Sequence, residues 1–149
     1  MQLTIKLETR YKQREGRNMA FPEDFIDISK WLNQKGNQKD CSFSEAAYRS
    51  AINRAYYAAF LYAESYAIKY FNYQVPKGKN SHLNLVKEYG KSESDTHQKI
   101  GKSLERMKQL RKRCDYEKKV MINLKSEAKK TIQEAEEIIV ELKKVIKDF

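Results

Sequence analysis

Little in this sequence suits a β-rich, secreted or metal-holding protein. Five Gly and two Pro in 149 residues leave too few turn residues for an all-β fold. The two cysteines, Cys41 and Cys114, lack CxxC spacing, so neither a disulfide framework nor a zinc site is expected. That usage fits a reducing cytosol. The first apolar positions alternate with polar ones, and no apolar leader core is seen. No run is apolar enough to span a bilayer. Arg49, Arg54, Glu64 and Lys69 break the best candidate. Only two histidines are present, His82 and His97. The glycine-rich, phosphate-loop, HExxH and GxSxG patterns are all missing, and no cofactor is implied.

What is abundant is charge and helical pattern. The net charge is +10, with 34% charged and 40% hydrophobic residues. Such a basic balance favours a polyanionic partner such as RNA or DNA, or an acidic protein; the bland alternative is a solubilising surface. The length suits one domain with a real core.

The stretch Ser42–Asn72 is the centre of the chain. It has no Gly and no Pro, and it is dense in Ala, Tyr and Phe. Apolar side chains cover nearly its whole circumference from Ala55 to Ala63, so other helices should surround it. Ser42 or Ser44 can cap its start through a hydroxyl oxygen.

Before it, Leu3, Ile5 and Leu7 alternate in a short strand-like run, followed by a basic stretch to Asn18. Residues 1–18 therefore read as an N-terminal extension, and 19–149 as the domain. Pro22, Glu23 and Asp24 form a favourable first helical turn. That helix carries Phe25, Ile28 and Trp31 and ends at Gly36.

After the central helix, Ser81 opens a short helix that stops at Gly90. A third long pattern, through Ile100, Leu104 and Met107, reaches roughly Lys119. Ser126 opens the last helix. There Ile132, Ala135, Ile138, Ile139, Leu142, Val145 and Ile146 repeat at three and four. The sum is an all-α, up-and-down bundle of four to five helices.

Two polar features could carry chemistry. Arg54 sits among alanines and tyrosines in INRAYYAAF. It could meet a phosphate in a bidentate contact, pair with an acid such as Asp115, or simply face water. In LRKRCDYE, Arg111 and Asp115 share a helix face at i,i+4. Lys112, Arg113 and Tyr116 lie beside them. This is either a basic groove for RNA or a solvated face.

The AINRAYYAAF helix, the Ser81–His82 start and LRKRCDY before a long amphipathic helix, in that order, resemble the HEPN superfamily. The likeness covers roughly Phe21 to Phe149. It is nearest the small single-domain branch with R-x-YYA and R-x-x-x-DY segments. It implies a dimerising helical bundle. Many members place two R-x(4–6)-H motifs in a shared cleft as a metal-independent endoribonuclease. Many serve in toxin–antitoxin or antiviral defence systems, often beside a nucleotidyltransferase-like partner.

Carried over, Arg111 matches the motif arginine, and Tyr116 stands where the histidine would be. A phenol with pKa near 10 moves protons poorly at neutral pH. His82, which opens the helix after the central one, is the candidate substitute; the alternative for a lone histidine at a helix start is a cap or a packing residue. The expected roles are Arg111, Tyr116 and His82 in catalysis. Arg54, Arg113 and Lys112 would hold phosphate, with Asp115 orienting an arginine and no metal. The other reading is a non-catalytic module that binds a nucleotidyltransferase-like partner, a nucleotide or a larger complex.

Overall fold

The computed structural model describes residues 22–120 and 122–146. The strand-like run and the proposed boundary between residues 18 and 19 lie outside them. Five helices follow in order: α1 (Pro22–Gly36), α2 (Ser44–Tyr70), α3 (Ser81–Gly90), α4 (Asp95–Tyr116) and α5 (Leu124–Ile146). No strand occurs among the described residues. No helix there is long and apolar enough to cross a membrane.

The apolar circumference of α2 is matched by its surroundings. α1, α4 and α5 pack along it, and α3 packs more lightly. Ala51, Ala55, Ala58, Ala59, Ala63 and Ala67 are fully enclosed. Small side chains at these positions let the neighbouring backbones come close.

Cross-helix bonds fix the directions. Ser29 donates to the Ala51 carbonyl at 2.5 Å, and the Tyr48 hydroxyl donates to Asn37 Oδ1 at 2.7 Å. These contacts run α1 antiparallel to α2. Arg49 reaches the end of α4 while Tyr66 meets His97 near its start, so α4 also runs opposite to α2. Ion pairs Lys30–Glu136 and Lys143–Glu23 do the same for α1 and α5.

Two glycines matter for these approaches. A Cβ on Gly36 would fall 2.8 Å from the Tyr48 ring. On Gly101 it would fall 3.2 Å from Tyr89 Cβ, where α3 crosses α4. Tyr89 itself is fully buried and donates to the Ala63 carbonyl at 2.7 Å.

Helix starts depart from expectation in two places. Neither Ser42 nor Ser44 caps α2: Phe43 holds the cap position without a side-chain bond. Ser44 instead donates to the carbonyls of Gly36 (2.8 Å) and Cys41 (3.3 Å), because the tight α1–α2 turn presents those acceptors first. The last helix begins two residues before Ser126. Asn123 Oδ1 accepts from the Ser126 N–H at 3.1 Å and caps it. α4 stops at Tyr116, short of Lys119. Ile132, Ala135, Ile138, Ile139 and Leu142 are buried as their spacing requires; the side chains of Val145 and Ile146 lie outside the described ones.

Candidate functional site

The i,i+4 spacing of Arg111 and Asp115 on α4 meets a second i,i+4 pair on α2, Asn53 and Tyr57. The four side chains interlock. Asn53 Nδ2 donates to both Asp115 oxygens, at 3.1 and 2.9 Å. Arg111 Nη2 donates to the Tyr57 hydroxyl at 2.8 Å. Arg111 Nε lies 3.2 Å from Asp115 Oδ2, an ion-pair distance without hydrogen-bond alignment. The guanidinium carbon also sits over the rings of Tyr57 (5.2 Å) and Tyr56 (5.7 Å). The arginine side chain is only 18% exposed. Its orientation is therefore set from three sides.

Arg54 points elsewhere. It is exposed and lies over the Phe25 ring at 5.6 Å. It still lines one depression of about 370 Å³ together with Arg49, Asn53, Cys114 and Asp115. Arg111 adjoins this depression through Asp115 and does not line it. So the two arginines flank Asp115 without facing one groove, and the partner of Asp115 is Arg111, not Arg54.

Tyr116 does not enter the groove. It is 77% exposed. A residue five places after Arg111 lies about 140° further round the helix, whereas Asp115 is only about 40° off. Lys112 is exposed as well, and Arg113 is engaged with Glu117 at 3.4 Å.

His82 comes closer than its place on α3 suggested. It is buried and bonded on both ring nitrogens. Nδ1 meets the Tyr56 hydroxyl, and Nε2 lies 3.4 Å from Glu105 Oε2. Tyr56 is one of the two rings under Arg111. Burial, then the charge of Lys108, pushes the His82 pKa down to about 4. Burial also raises the Tyr56 phenol well above its ordinary value. Near pH 7 the pair is therefore a protonated phenol and a neutral imidazole.

Arg49 is a positioning residue that composition and motif did not single out. Its Nη1 donates to the carbonyls of Cys114 and Glu117, both at 2.7 Å, and its Nη2 to Lys118 O at 3.3 Å. Glu45 holds the same guanidinium at 2.9 Å. A cation here satisfies the open carbonyls at the end of α4 and complements the helix dipole. It thereby anchors the turn that carries Asp115. Arg49→Ala should destabilise the protein by about 1–3 kcal/mol in urea unfolding. Amide exchange should speed up at residues 113–117; unchanged exchange there would remove Arg49 from this role.

Cys114 is buried beside this turn, and burial raises its thiol to about 11, so it is not a nucleophile at neutral pH. Among the described residues no group of three or more His, Cys, Asp or Glu is placed to hold a metal ion.

A signal for Asn53, Tyr56 and Tyr57 was present in INRAYY. Asn53 and Tyr57 have the same i,i+4 separation as Arg111 and Asp115, so two facing helices can pair them.

An all-α bundle with an arginine–carboxylate pair clamped between its central helix and the fourth defines the class of this protein. The HEPN domain model matches residues 37–145, and the chain belongs to that family. Neither a curated protein nor a solved structure matches it.

Proposed function

We propose that this HEPN protein acts on RNA in a toxin–antitoxin or antiviral defence system, gripping RNA phosphate at Arg111 as a cytoplasmic homodimer. The observation that carries this reading is the clamped guanidinium. Arg111 is oriented by Tyr57, Asp115 and two aromatic faces before any ligand arrives. A preset planar fork suits bidentate phosphate recognition with little ordering cost. The net charge of +10 and the exposed Arg54 and Lys112 nearby support a polyanionic partner.

Binding, rather than cleavage, is the act assigned to the chain alone. Cleaving RNA needs an acid–base group that reaches the ribose near neutral pH. His82 is buried and committed to Tyr56 and Glu105, and Tyr116 faces solvent. These two placements favour a second reading, a non-catalytic module that engages a nucleotidyltransferase-like partner or a larger complex.

The test is incubation of total cellular RNA with purified protein in EDTA, scored for both fragments and retention. Retention without fragments is expected. Fragments that disappear in Arg111→Ala would establish a metal-independent nuclease instead. Absence of both would overturn RNA as the target, and co-purification with a nucleotidyltransferase-like protein would then support the second reading.

A further inference from the structure

Below the arginine lies a row of polar groups that the phosphate grip does not use. Glu105 on α4, His82 on α3 and Tyr56 on α2 form a chain across three helices. It ends at the ring over which the Arg111 guanidinium sits. We propose that Glu105, His82 and Tyr56 are a positioning relay that holds Arg111 in its phosphate-binding orientation. The effect on RNA rests on the function proposed above; the effect on the arginine does not.

The proton inventory gives the relay a single direction. The buried Tyr56 phenol keeps its proton and donates to His82 Nδ1. His82 must then carry its own proton on Nε2, which faces the Glu105 carboxylate at 3.4 Å. Glu105 is held as an acceptor. Its pKa lies below the ordinary value, chiefly through the bond from Gln109 (2.9 Å) and also through His82. Lys108 and Arg111 are the cations that act on the imidazole, and both oppose its protonation. His82 therefore serves as a neutral acceptor for Tyr56.

Packing makes this bond matter to the arginine. Phe60 stacks on His82 at 5.8 Å and on Tyr56 at 5.9 Å, so the two polar rings share one apolar wall. Tyr56 meets Tyr57 edge-on at 5.2 Å. Together Tyr56 and Tyr57 give the two aromatic faces near Arg111. The Tyr56–His82 bond anchors the Tyr56 ring, so losing either the acceptor at position 82 or the donated proton frees that ring to tilt. One of the two faces then moves.

The relay is tested by solution NMR of the arginine Nε–H groups, without RNA. Solvent exchange at Arg111 Nε–H should quicken about tenfold in His82→Leu. Arg49 Nε–H, tied to Glu45, should stay as it is and serve as the internal control. His82→Asn, whose side-chain oxygen takes the place of Nδ1, should restore slow exchange. Equal exchange in wild type and His82→Leu would make His82 a packing residue and overturn the relay, as would fast exchange in His82→Asn. Should His82→Leu fail to fold, Tyr56→Phe keeps the ring and removes only the donated proton. It should also quicken exchange at Arg111, and unchanged exchange in that variant overturns the relay too. Failure of the protein to bind RNA would strike the proposed function and leave this result standing.

Discussion

Arg111→Ala is expected to weaken single-stranded RNA binding about 10- to 100-fold, the loss of one charge-assisted bond worth roughly 1.5–3 kcal/mol. The dependence of affinity on salt should also become shallower, by about one phosphate contact in the slope. That second readout separates a lost phosphate grip from a general loosening of the fold. Arg111→Lys keeps the charge but not the planar fork. It also loses the bond to Tyr57 and much of the stacking on the two rings, so it should recover only part of the affinity. Filter binding across a salt series, with circular dichroism to verify folding, measures all of this. Wild-type affinity and slope in Arg111→Ala would remove Arg111 from the site.

Acid should destabilise the fold through His82. Its pKa of about 4 in the folded protein lies below the ordinary 6.5 of an exposed histidine. The folded state therefore binds fewer protons than the unfolded chain between these values. The stabilisation from keeping this ring neutral is complete above pH 6.5 and is lost as pH falls through 4. At about 1.4 kcal/mol per pKa unit, the group should cost the protein about 3 kcal/mol on going from pH 7 to pH 4. His82→Asn has nothing to titrate there. The difference in urea midpoint between pH 7 and pH 4 should be larger for wild type than for the variant. Equal acid losses in the two proteins would mean that His82 is free to take up a proton without cost.

Helix identity was legible in the chain because hydrophobic period is a local property. The all-round apolar α2 and the three-and-four repeat of α5 announce which surfaces must be covered. The pairing of Arg111 with Asp115 was legible for the same reason, since both lie on one helix at a fixed offset. So was the displacement of Tyr116, whose angle round α4 follows from that same offset although the motif alone placed it with Arg111.

Helix starts were less legible. Ser44 and Asn123 are both capable caps, and which one acts depends on the acceptors that the neighbouring turn supplies. The partners across helices were not legible. Asn53 and Tyr57 show an i,i+4 spacing that matches Arg111 and Asp115, but nothing in the chain says that the two pairs meet, and Arg49 carries no signal. Only the antiparallel register of α2 against α4 brings the first two to Asp115 and Arg111, and the third to the end of α4. His82 shows the limit most clearly. Its place at the start of α3 suggested a stand-in for a missing histidine. What it does is decided by depth: burial makes it neutral, and α2 and α4 supply the phenol and carboxylate that occupy both its nitrogens. The sequence by itself determined the helices, the basic charge and the i,i+4 pairing of Arg111 with Asp115. The tertiary structure decided which groups hold that arginine, because hydrogen bonds across helices depend on packing distances that no local spacing contains.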